Sequence, residues 1–150
     1  MVEMAIICLI IAIIAAFVVP QVINYMRMYR VGVAARNVAT ALQRARFIAT
    51  SNNTRAGVEI TALRRIDLQQ YDPAGNGEPQ NKGIINLPEE ITIPSEAPIN
   101  IAFDGRGVLT PLPRESLAIH VHGAKGYYII VTVSPTGQVT LSDVKKTSDA

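Results

Sequence analysis

The sequence predicts an α+β fold, with one long N-terminal helix packed on a C-terminal antiparallel β-sheet or small β-sandwich. Three observations carry this expectation. Residues 4–26 contain no charged side chain, residues 31–49 repeat apolar positions at spacings of three and four, and the chain from about residue 55 alternates apolar and polar positions in short segments divided by turn residues. These patterns divide the chain into a membrane-spanning helix, 1–26, and a globular part, 27–150, holding a helix at 27–51 and β-structure at 55–145.

The first element reads MAIICLIIAIIAAFVVPQVINYM from Met4 to Met26. Its roughly 23 residues make a helix of about 35 Å, enough to cross a hydrocarbon core of about 30 Å with some tilt. A cleavable secretory signal would put a basic stretch before the apolar run. Here Glu3 comes first and Arg27 and Arg30 follow, so the segment is expected to stay on the protein. Two residues within it need their own reasons. An ionised Glu3 at the edge of the run either dips into interfacial water or requires a cationic partner. Pro20 lacks an N–H and crowds the carbonyl four residues earlier, so it either kinks a continuing helix or marks a loop boundary.

The pattern beyond Pro20 favours more helix. Val31, Ala34, Ala35, Val38, Ala41, Leu42, Ala45, Ile48 and Ala49 form one apolar stripe, with Arg36, Gln43, Arg44 and Arg46 largely between them. Ser51-Asn52-Asn53-Thr54 should end it, because these side chains compete for backbone hydrogen bonds. Strands are expected at Gly57–Thr61, Arg65–Gln69, Leu117–His122 and Tyr127–Val133. Ser134-Pro135-Thr136-Gly137 then turns the chain into Gln138–Leu141 as a hairpin, and Asp72 to Gly83 reads as a long loop.

Composition excludes several classes. Ten Gly and nine Pro without a period rule out collagen-like sequence, and the single Cys8 rules out a disulfide scaffold, a CxxC redox pair and a Cys-based zinc cluster. Charge is divided: residues 4–58 hold six Arg and no acid, whereas residues 59–150 hold eleven acids against eight bases. Such asymmetry fits either a solvated Arg face or an anionic lipid or nucleic-acid partner. No nucleophile elbow, zinc-protease, P-loop or dinucleotide motif occurs, so neither a catalytic residue nor a cofactor is expected. His120 and His122 fall on one side of a strand, where they either share a metal or line the wet face; the wet face is preferred and no metal site is expected. Glu89-Glu90 reads as a solvated pair in a turn, and Asn52-Asn53-Thr54 matches a glycosylation acceptor by pattern alone.

Glu3, an uninterrupted apolar run and Pro20 seventeen positions later resemble the N-terminus of type IV pilins and type II secretion pseudopilins. That motif reads approximately FTLIEL, and Met1-Val2-Glu3-Met4 matches its last part. Ala41–Ala49 with Asn52, Leu87-Pro88 before Ile91, Ile101–Gly107 and Val133–Val139 resemble the GspH/FimT branch of minor pseudopilins and minor pilins. The resemblance covers nearly the whole chain. It implies a basic leader, a cleavage-site Gly and two mature residues before Met1, which a prepilin peptidase would process, and it places a methylated N-terminus in the expected chemistry. It also implies a single-pass inner-membrane helix, a periplasmic pilin-like domain, and partners comprising membrane lipid, an assembly platform and other pilins or pseudopilins. Glu3 and Pro20 become assembly residues, Glu3 by pairing with a neighbour's N-terminal amine and Pro20 by letting the helix bend or melt for packing. Ala12, Ala15 and Ala16 would allow close helix approach. The implied function is a structural, non-enzymatic subunit that helps initiate or cap a filament of type II secretion or of a type IV pilus. The alternative is a FimT-like minor pilin that binds DNA during natural transformation through Arg106, Arg114, Lys125, Lys145 and Lys146. DNA is the less favoured partner, since the strand-rich part is net acidic and shows no aromatic platform among its bases.

Overall fold

A computed structural model describes residues 2–62, 64–71, 79–94 and 99–147. One helix, α1 (Val2–Asn52), is followed by β1 (Ala56–Ala62), β2 (Arg65–Gln70), β3 (Gln80–Asn86), β4 (Ile99–Phe103), β5 (Leu109–Thr110), β6 (Leu117–His122), a 3-10 turn (Ala124–Gly126), β7 (Tyr127–Val133), β8 (Val139–Leu141) and β9 (Lys145–Lys146). The helix runs on through Pro20 without a break. It ends where Asn53 takes a left-handed φ of 49° and the Thr54 N–H donates to the Ala49 carbonyl at 3.0 Å. This is a Schellman-type cap, and Asn tolerates its backbone angle better than most residues.

The strands form two antiparallel sheets. The larger has the order β3-β2-β1-β4-β5, and the smaller has β6-β7-β8 with β9 also pairing β7. The expected 72–83 loop needs correction. Gln80–Gly83 are the first half of β3, paired to β2 in a register of Gln70↔Gln80 to Arg65↔Asn86, and residues 72–78 lie outside the described residues. Polar Gln80, Asn81 and Lys82 suit an exposed edge strand, which the alternation rule does not detect. β4, β5 and β9 are also additions to the strands expected from alternation.

The second half of α1 lies across both sheets. Val31, Ala34, Ala35, Val38, Ala41, Leu42, Ala45 and Ala49 are at most 1% exposed. Small Ala side chains let the helix axis come close, while Val58, Ile60, Ile66, Leu68, Ile101 and Phe103 of the larger sheet and Ile119, Val121, Ile129, Val131 and Val133 of the smaller sheet complete one core. Leu87 and Ile91 join that core from the connection after β3.

β7 runs beside α1 in the same direction. At its start, Gly123 packs so tightly on Val31 that a Cβ there would collide with it. At its end, the Arg46 Nε–H donates to the Gly107 carbonyl at 3.1 Å and its guanidinium reaches the Thr136 carbonyl at 3.3 Å. Arg46 therefore ties the β4–β5 turn and the β7–β8 turn to the helix. Both turns use glycine at positive φ, 77° at Gly107 and 80° at Gly137, and a Cβ on Gly137 would strike the Gly107 carbonyl. The globular part thus has a proximal end, beside Val31 and the apolar half of α1, and a distal end around Arg46.

Candidate assembly and membrane surface

The candidate surface follows from what α1 leaves uncovered. From Met4 to Ile23 the large apolar side chains are 44–71% exposed, and among the described residues no strand or loop packs on them. This is the single helix among the described residues that is long and apolar enough to cross a membrane. Glu3 lies exposed in its first turn, where the positive end of the helix dipole favours a carboxylate. Pro20 lies within the same bare stretch, so the Ala16 carbonyl has no N–H to accept from four residues on.

The five basic residues grouped for DNA separate into two sets. Arg106 sits at the distal end in the β4–β5 turn, where its Nε–H donates to Asp104 at 3.3 Å. Arg114 precedes β6, whose Leu117 pairs with Val133 at the same end. Lys145 and Lys146 lie at the opposite end of β7, opposite Tyr128 and Tyr127. Lys125 is adjacent to them, because the Thr147 N–H donates to the Gly126 carbonyl at 2.9 Å. The seven residues of β7 between the sets span about 20 Å.

One feature of this face corrects the expectation of no aromatic platform. The rings of His120, His122 and Tyr128 stack on the outer face of the smaller sheet, with centroids 5.5–6.3 Å apart and interplanar angles of 17–28°. Lys145 stands opposite Tyr128 on the adjoining strand. Alternation placed the two histidines on one face, but only the β6–β7 register shows that Tyr128 stands opposite His122. Burial, then the neighbouring His120 charge, lowers the His122 pKa from its ordinary value of 6.5. Among the described residues no group of three or more His, Cys, Asp or Glu side chains converges.

Two carboxylates are structural. Burial opposes ionisation of Asp67, yet hydrogen bonds from Arg65 at 2.9 Å and Thr61 at 2.8 Å, with the Arg65 charge, hold its pKa below the usual carboxylate value. Asp104 is also held low, first by the Val108 N–H at 2.9 Å and then, against some desolvation, by the N–H and side chain of Arg106. Glu90 is half-exposed and accepts from Arg30 at 2.8 Å, which braces the proximal end of α1 against the turn after β3. Sequence distance of sixty residues hides that pair.

No family model and no curated protein matches the chain. Solved structures do. The fold is similar to the type IV minor pilin FimU of Pseudomonas aeruginosa strain PAO1, with a TM-score of 0.62 and 16% identity over 79% of this chain and 92% of that one. It is also similar to the minor pseudopilin EpsH from the Type 2 Secretion System of Vibrio cholerae, with a TM-score of 0.60 and 17% identity over 76% and 97% of the two chains. The class defined by these likenesses is the pilin-like α+β fold: a long N-terminal helix carrying a two-sheet domain.

Proposed function

We propose that this chain is a minor pseudopilin or minor pilin, a structural and non-enzymatic subunit that helps initiate or cap a pilus-like filament in type II secretion or type IV pilus assembly. The observation that carries the reading is the bare apolar half of α1, headed by Glu3, on a pilin-like domain. A surface of that size has no place in water. It is satisfied by lipid before assembly and by the helices of neighbouring subunits afterwards. In the first state the helix spans the inner membrane with the globular part in the periplasm, beside an assembly platform and after processing by a prepilin peptidase. In the second, a carboxylate buried among apolar helices requires a cation, and the N-terminal amine of an adjacent subunit supplies it to Glu3.

The test is a Glu3→Val strain. The globular part should fold and the helix should insert, since a charge at the apolar edge is removed, but co-purification with filament subunits should be lost. Normal secretion or piliation by that strain overturns the pairing role.

DNA capture is the second reading, and the stacked His120–His122–Tyr128 rings beside Lys145 favour it. Separation of Arg106 and Arg114 from the lysines weighs against a continuous basic track. Weak duplex binding at physiological salt is therefore expected. Tight, salt-sensitive binding lost in a Lys145→Ala, Lys146→Ala double variant would promote this reading over the first.

A further inference from the structure

A cavity of about 200 Å³ opens at the proximal end, lined by Tyr25, Met28, Tyr29, Gly32, Arg36 and Val144. Gly32 forms part of its wall from within α1, where glycine is disfavoured. A Cβ on Gly32 would meet no atom within 4 Å, in contrast to Gly123 and Gly137, which internal packing explains. Nothing within the described part of the chain needs the missing side chain. The space it leaves faces outward.

Charge and position identify what fits there. Arg36 stands on the rim and makes no ion pair among the described residues. Lys146 comes two residues after Val144 and lies over the Tyr127 ring on the inward side, whereas Lys145 stands with Tyr128 on the outer face. Of the nearby acids, Glu90 is taken by Arg30, and Asp143 adjoins Val144. Along the helix, Gly32 is about 9 Å beyond Met26, where the uncharged run stops. A head-group layer occupies about 5–8 Å outside the hydrocarbon core, so in a spanning helix the lower rim of the cavity, at Tyr25 and Met28, faces glycerol and the first acyl carbons, and the Arg36 side chain, leaning back toward the N-terminus as helical side chains do, reaches the phosphate level.

We infer that this cavity seats the head group of an anionic phospholipid, with its phosphate beside Arg36 and Lys146 and its glycerol and first acyl carbons against Tyr25, Met28, Tyr29 and Val144. The inference rests on the reading of α1 as a membrane span. It gives Lys146 a partner that its distance from Arg106 and Arg114 denies it in a DNA track. It also gives Gly32 a reason.

The test uses the full chain in nanodiscs of mixed phosphatidylglycerol and phosphatidylcholine, followed by native mass spectrometry of the lipid that stays bound. Phosphatidylglycerol should be retained in preference, by about fivefold for each basic side chain engaged. Gly32→Leu should abolish the preference while far-ultraviolet circular dichroism and flotation with vesicles stay unchanged, and Arg36→Gln should reduce it about fivefold. Soluble glycerol phosphate should not compete, because it lacks the acyl carbons. Equal retention of both lipids by the wild-type chain overturns the inference alone, as does competition by glycerol phosphate. A Gly32→Leu chain that keeps its lipid preference but no longer enters filaments would assign the cavity to a neighbouring subunit instead. Failure to float with vesicles of either composition would remove the membrane span and the head-group site together.

Discussion

Residues 4–26 and residues 31–49 belong to the same helix and are both rich in apolar side chains, yet they meet opposite surroundings. In the first stretch Ile10 and Ile14 are 51% and 57% exposed; in the second Val38 and Leu42 are fully buried. The first is the more apolar, and the arrangement of polar residues separates them further. The second stretch has polar residues on one side, Arg36, Gln43 and Arg44 among them, and so can cover a core with its other side. The first has no polar side, and no single partner face satisfies it. Its surroundings must be apolar all round, which lipid or a bundle of like helices provides.

The largest expected effect follows directly from this contrast. In a chain truncated to begin at Met28, Leu42→Asp places an unpaired charge between the helix and the sheets and should cost several kcal/mol, enough to unfold a domain of this size. Loss of the cooperative urea transition checks it. Ile10→Asp in the full chain should leave that transition in place but prevent flotation with vesicles. If Ile10→Asp unfolds the globular part, the two halves of α1 are not independent in the way their exposure indicates.

The two halves were legible in the sequence because each pattern is local. A run without charge and a stripe at spacings of three and four are both visible within twenty residues, and so were the three alternating strands, the β-branched and aromatic run at Tyr127–Val133 and the hairpin turn after it. What stayed hidden is non-local. Arg46 lies at the edge of the stripe like any solvated arginine, and only the meeting of the β4–β5 and β7–β8 turns reveals the carbonyls it serves. The basic residues Arg106, Arg114, Lys125, Lys145 and Lys146 look equivalent in a list, but the direction of β7 puts them at opposite ends. All of β3 escaped because an edge strand with few buried side chains carries no alternation.

Arg46 and the glycine turns provide the next effect in size, at the distal end of the buried half. Gly137→Ala forces a side chain onto a φ of 80° and against the Gly107 carbonyl, so a loss of about 1–3 kcal/mol is expected. Arg46→Ala removes donors from two carbonyls and should cost about 1–3 kcal/mol, with Arg46→Lys recovering only part of it because an ammonium is not a fork. Urea midpoints of the truncated chain measure both. Neither change should alter vesicle binding by the full chain, since both lie at the end away from the bare helix. A combined loss equal to the larger single loss would show that the two turns act as one unit.

The smallest effect concerns pH and is confined to the globular half. His122 has its pKa lowered from 6.5, first by burial and then by His120, while Tyr128 stacks on it and Lys145 stands across the strand pair. In the unfolded chain the imidazole returns to its ordinary value, so between the folded and unfolded pKa values the unfolded state binds more protons. Stability is therefore full above about pH 6.5, falls as pH drops below it, and levels once the folded pKa is passed. Asp67 and Asp104 titrate in a separate window: their pKa values lie below 3.8, so the stability they contribute is present above that pH and is lost only as pH falls through the lowered values. The urea midpoint of the truncated chain should accordingly decline from about pH 8 to about pH 5.5, and His122→Asn should flatten that slope. A slope unchanged by His122→Asn would assign the pH dependence to another group. A midpoint that rises on acidification would contradict the sign of the shift itself and with it the packing of His122 between His120 and Tyr128.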